Sequence, residues 1–138
     1  MATKGPSNRY GNKNGTASSH INYPYAIPKY IGSNPKDHMS KHFSDFGVDN
    51  KDDYLAKAVN FANDVDYVNY DSYVDSSGTT YKYNKKNNAL LLVSKEGGII
   101  TYYKPRYKGG KNKGQLNWNY FKVHKKKEED YERQFGKR

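Results

Sequence analysis

Two histidines four residues apart, His38 and His42, with Asp45 three residues further on, form the group in this chain best suited to moving a proton near neutral pH. On a helix the pair shares one face, roughly 100° round from the apolar stripe of Met39, Phe43 and Phe46, at about 100° per residue. That position is the border between core and solvent, where a groove wall stands. Asp45 can orient or charge-stabilise one imidazole, and Lys36 and Lys41 add positive charge nearby. Three readings of the pair are open. A metal could bridge it, although His-Met-Ser-Lys-His lacks the glutamate of the zinc-protease motif and no third ligand follows. Both rings could be boundary side chains with ordinary hydrogen bonds. Or they could do acid–base work.

A second group lies in Thr101-Tyr102-Tyr103-Lys104-Pro105. On a strand Thr101 and Tyr103 share a face and Tyr102 takes the other. A hydroxyl beside a phenol can hydrogen-bond phosphate oxygens, with Lys104 or Arg106 supplying charge. Packing by β-formers explains the same pattern without chemistry. A third group is the interleaving of rings and cations after Tyr102. Tyr107, Trp118, Tyr120 and Phe121 offer stacking platforms for bases while lysines follow the phosphates, though Trp118 serves equally well as a core residue.

The charge distribution points the same way. The 138-residue chain carries a formal +10, and nine Lys or Arg lie between Gly97 and Lys127 with no Asp or Glu among them. A one-signed surface of this kind concentrates polyanions. The expected partner is therefore nucleic acid, RNA first, ahead of an acidic protein or a membrane surface. The absence of cysteine excludes disulfides and thiol catalysis. The longest apolar run, residues 89–93, has strand length and is far short of the ~20 residues of a membrane span, so no stable membrane association is expected. The polar opening does not resemble a signal peptide, which leaves export as part of a larger protein possible.

The elements that must position these groups follow from periodicity. Residues 1–18, rich in Gly, Asn, Ser and Lys, are expected to form a disordered junction, with a single domain over 19–138. Asn34-Pro35 opens a helix that Gly47 closes. Asn50, with Asp53 three residues on, starts a second helix, lined by Tyr54, Leu55, Ala58, Phe61 and Ala62 and ending near Asp64. The period then falls to two, which predicts strands over 67–74, 79–84, 89–94 and 99–103 in an antiparallel meander. Residues 106–114 are expected to be a mobile loop, 118–123 a candidate fifth strand, and 125–135 a charged terminal helix. Helices first and strands afterwards give an α+β class.

The ordered combination of His38-Met-Ser-Lys-His42-Phe-Ser-Asp-Phe-Gly47, the helix from Asp53 to Phe61, Tyr81-Lys-Tyr-Asn84 and Gly98-Ile-Ile-Thr-Tyr-Tyr-Lys-Pro105 resembles nuclease toxin domains of the barnase–EndoU–colicin–RelE superfamily. The resemblance covers roughly residues 34–105. It implies two N-terminal helices packed on a curved antiparallel sheet of four to five strands. It also implies metal-independent RNA cleavage through the ribose 2′-hydroxyl, with no cofactor. Carried over by motif, His42 and His38 become the acid–base pair, and Thr101 and Tyr103 line the scissile phosphate. A lysine that no motif fixes (Lys104, Lys82 or Lys41) stabilises the transition state. Such domains end larger secreted toxins that inhibit competitor bacteria. The resemblance therefore implies a monomer acting in a target-cell cytoplasm on tRNA or rRNA, held inactive at home by an acidic immunity protein. The rival expectations are a non-catalytic basic nucleic-acid-binding module and a nuclease acting on DNA.

Overall fold

The computed structural model describes residues 26–136; the expected junction 1–18 and the first part of the domain lie outside the described residues. Among the described residues three α-helices and a four-stranded antiparallel sheet give the α+β class. Helix α1 (Pro35–Lys41) is followed by a 3₁₀ turn, Phe43–Phe46, and helix α2 (Lys51–Asn63). Strands β1 (Tyr70–Val74), β2 (Thr80–Asn84), β3 (Ala89–Val93) and β4 (Ile99–Tyr103) pair in sequence order. Helix α3 (Tyr120–Phe135) closes the described chain.

The first helix is shorter than its sequence pattern predicts. His42 ends it at φ −104°, ψ 0°, its N–H bonding Met39 O at 3.0 Å, and the chain tightens into the 3₁₀ turn before Gly47 turns it in a left-handed conformation. Asn34 itself sits at φ 48° and makes no side-chain cap, so Pro35 starts the helix unaided. The second helix is capped as expected: Asn50 Oδ1 accepts the Asp53 N–H at 2.9 Å, and the Asn50 amide donates to Asp53 Oδ2 at 3.0 Å.

β1 begins at Tyr70 rather than at residue 67, because Asp66 captures the backbone first. Its Oδ1 accepts the N–H groups of Val68 and Asn69, both at 3.0 Å, and this side-chain turn competes with strand extension. The candidate fifth strand, 118–123, is instead the approach and first turn of α3. Its aromatic and β-branched residues suit a strand, but Phe121 and Lys125, four apart, face the sheet together as helical spacing requires. Residues 106–114, expected to be a mobile loop, fold back on the chain: Arg106 bridges Leu116, and Gly114 N–H bonds Tyr107 O at 2.9 Å.

The sheet separates two apolar layers. On one face Leu55, Ala58, Phe61 and Ala62 of α2 pack with Leu91, Val93, Ile99 and Tyr102. On the other, Phe121 of α3 lies over Tyr73, Tyr83 and Leu90, stacking on Tyr83 at 4.8 Å. The register slips between Leu92 and Val93, which pair with Thr101 and Ile99. That bulge lets Ile99 and Tyr102, three apart, both enter the helix-side core while Thr101 and Tyr103 turn to the opposite face. The outer edge of β4 is covered by the preceding segment, Ile31 N–H bonding Ile99 O and Ile99 N–H bonding Lys29 O, both at 2.8 Å. Among the described residues no helix is long and apolar enough to cross a membrane.

Candidate active site

The histidines at the end of α1 reach across to the hydroxyls of β4. His38 Nε2 lies 3.0 Å from Thr101 Oγ1. The His38 and His42 rings are 4.9 Å apart edge to face, and His42 lies 5.3 Å from the Tyr103 ring. These four groups line one cleft of about 650 Å³ together with Lys41, Lys104, Arg106, Tyr107 and Lys108. The i,i+4 spacing places both imidazoles on one side, and strand alternation puts Thr101 and Tyr103 on one face of β4.

Asp45 ties the parts together. Its Oδ1 accepts from Arg106 at 2.8 Å, and its Oδ2 accepts the Lys104 N–H at 3.1 Å. His42 Nδ1 stands 3.7 Å from the same Oδ2, within ion-pair range but beyond hydrogen-bond length. One carboxylate thus anchors the 3₁₀ turn to the chain leaving β4 and faces an imidazole. Its side chain is only 7% exposed.

Burial sets the proton affinities. It pushes His42 down to about 4, helped by His38 and Lys41 and opposed by Asp45. His38 is lowered less, by burial first and then by Lys41. The Tyr103 phenol is raised by burial and by its bond to Tyr120, so it is a hydrogen-bond donor at neutral pH. At pH 7 the site therefore offers two neutral imidazoles, a hydroxyl, a phenol and a rim of cations. That set can accept a proton, return one, and hold anionic oxygens.

Of the residues singled out by sequence, His38, His42, Thr101, Tyr103, Lys41, Lys104, Arg106 and Tyr107 come together here. Lys82 does not. It pairs in register with Leu91, which pairs with Tyr102, on the helix-covered face of the sheet. It is 2% exposed, and its ammonium donates to the carbonyls of Ala62 at 3.1 Å and Asp64 at 2.5 Å at the end of α2. Burial lowers it to about 7. Lys82 therefore caps a helix and cannot reach the cleft. Trp118 is neither core nor part of the cleft. It is 47% exposed and lines a different depression with Phe121, Lys122 and Lys125.

Sequence reading missed Asn88. This fully buried residue, at φ 64°, accepts from the Tyr83 hydroxyl at 2.5 Å and donates to Pro105 O at 3.1 Å and Asn117 O at 3.3 Å. It joins the β2–β3 turn to both ends of the basic loop that carries Arg106. An Asn-Asn pair in a turn gives no hint of those distant partners.

Among the described residues no group of three or more His, Asp or Glu side chains is placed to hold a metal ion. Compared with protein-family models, with curated proteins and with solved structures, the chain matches none of them.

Proposed function

We propose that this protein is an endoribonuclease toxin domain that cleaves RNA without a metal, by attack of the ribose 2′-hydroxyl on the adjacent phosphorus. The observation that carries this reading is the meeting of His38 and His42 with Thr101 and Tyr103 in one cationic cleft. Transfer of the phosphodiester needs a base for the 2′-proton, an acid for the departing 5′-oxygen, and donors for the nonbridging oxygens. His42, the more strongly depressed imidazole, is neutral and takes the 2′-proton. His38, protonated on the acid side of neutrality, delivers its proton to the leaving oxygen. Thr101 and Tyr103 donate to the phosphate, and Lys104, Lys41 and Arg106 supply the charge.

The α+β class, with α2 packed on one face of an antiparallel meander, is compatible with the coarse form of the barnase–EndoU–colicin–RelE arrangement, and we place the domain in that superfamily as part of this proposal. The same reading gives it an acidic immunity protein as partner. A cationic cleft of this kind attracts such an inhibitor electrostatically. It also assigns the domain to the end of a larger exported toxin acting in a target cell.

The test is incubation of the purified protein with total RNA in EDTA, followed by analysis of the new ends. Fragments ending in 2′,3′-cyclic phosphate support the reading. Intact RNA, or cleavage that EDTA abolishes, overturns it.

A further inference from the structure

Behind Tyr103 lies a second cavity of about 310 Å³, between α3 and the face of the sheet that α3 covers. Tyr103 lines both this cavity and the histidine cleft. We propose that the cavity walled by Tyr81, Tyr103, Tyr120 and His124 holds a nucleobase of the RNA whose phosphate sits at His38 and His42. This inference rests on the ribonuclease reading and adds to it the subsite that selects the sequence cut.

The walls suit a flat ring. Tyr81 stacks on Tyr73 at 4.5 Å with 7° between their planes, and His124 stacks on Tyr120 at 4.1 Å. Leu90 and Leu92 of β3 close the floor. A base entering here exchanges water for aromatic and aliphatic surface, the usual source of affinity for single-stranded RNA.

The polar groups suit a base edge rather than a phosphate. His124 Nδ1 lies 2.9 Å from the carbonyl of Tyr120. A carbonyl only accepts, so Nδ1 carries the hydrogen of this contact, and Nε2 is the ring's other polar atom. The carboxylates of Asp75 and Glu128 line the same cavity beside Lys127; Asp75 Oδ1 is held by Ser77 and by the Thr79 N–H, and its Oδ2 accepts from Tyr81 at 3.1 Å. Two carboxylates against one ammonium disfavour a phosphate, and Asp75 Oδ2, with Tyr81 as its one donor among the hydrogen bonds described, has room to accept an N–H group of a base. The histidine cleft has the opposite character, with Lys41, Lys104, Arg106 and Lys108 set against the single carboxylate of Asp45. The charge step across Tyr103 therefore orients a nucleotide with its phosphate on the cationic side and its base on the acidic side.

The test is an NMR titration of the whole protein with the four ribonucleoside 3′-monophosphates and, separately, with inorganic phosphate. Phosphate is expected to shift the His38 and His42 ring signals alone. At least one nucleotide is expected to shift those and the rings of Tyr81, Tyr120 and His124. His124 is exposed, so His124→Ala should fold normally. It should weaken that nucleotide roughly fivefold or more, the scale of losing one stacking partner, and leave phosphate binding unchanged. Nucleotide shifts confined to His38 and His42, or unchanged nucleotide affinity in His124→Ala, overturn the base pocket while leaving the ribonuclease reading intact. Shifts in the pocket by a protein that does not cut RNA uphold the pocket and remove the catalytic reading.

Discussion

The imidazole of His38 and the hydroxyl of Thr101 meet at 3.0 Å although 63 residues separate them in the chain. Neither side chain has that partner by local geometry. The contact exists because the side chains at the end of α1 reach β4 and because Thr101, paired with Leu92, faces away from the core that α2 covers. Proton-transfer chemistry and phosphate-binding hydroxyls are thereby brought to one place.

Replacing His42 by alanine is expected to lower RNA cleavage by ~100-fold or more, the usual scale for an acid–base group. The side chain lies at the rim of the core, 16% exposed, so circular dichroism should still report a folded protein. A folded His42→Ala enzyme cutting at the wild-type rate removes His42 from the reaction.

The rate should peak on the acid side of neutrality. His42 serves as base only above its value of about 4, and His38 serves as acid only below its own, which lies under the ordinary 6.5. The profile of kcat/KM against pH is therefore a bell. It falls away below about 4 on the acid side and, on the alkaline side, is already falling before the ordinary histidine value of 6.5 is reached. A rate still climbing at pH 8 contradicts these roles. The His42 shift also affects folding. Between about 4 and 6.5 the unfolded chain binds the extra proton, so stability falls as pH falls through that window, and folding should be monitored across it.

Lys82→Met tests the reassignment of that lysine from substrate binding to helix capping. Two carbonyls at the end of α2 lose their donor, at a cost of roughly 1–3 kcal/mol, and kcat per folded molecule should not change. The native Lys82 gives up its proton near pH 7 while the unfolded chain keeps it to about 10.5. Wild-type stability should therefore rise relative to Lys82→Met from pH 7 upwards. A large fall in kcat would return Lys82 to the reaction.

Asn88→Ala should unfold at lower temperature, because the Tyr83 hydroxyl and the Asn117 carbonyl lose the Asn88 amide while Pro105 O keeps only the Asn117 N–H, again at roughly 1–3 kcal/mol. Thermal melting measures the loss, and an unchanged melting temperature would mean that Asn88 does not anchor the basic loop.

Local chemistry made some of this fold legible and concealed the rest. The Asn50–Asp53 cap is a contact between near neighbours, as were the turn signals between strands, and both could be read from sequence. The spacing of His38 and His42 predicted a shared side, and they do share one, although the helix stops at His42 itself. Lys82 misled because a lysine in a strand ordinarily points to water. Its real partners are carbonyls 18 and 20 residues earlier, exposed only because α2 ends there. The start of α3 misled because Tyr120, Phe121 and Val123 are good strand residues, and tertiary contact with Tyr83 and Asp71 decides the matter. Asp45 was seen as a partner for one imidazole. Its bonds to Arg106 and to the Lys104 backbone span about sixty residues, and no pattern in the chain announces them.

The most direct measurement uses one RNA oligonucleotide and its all-2′-deoxy counterpart, each incubated with wild-type and His42→Ala protein in EDTA. Wild-type protein should cut the RNA, leave the deoxy strand intact, and lose its activity with His42. Cutting of the deoxy strand, or an RNA that survives wild-type protein untouched, would contradict the proposed chemistry.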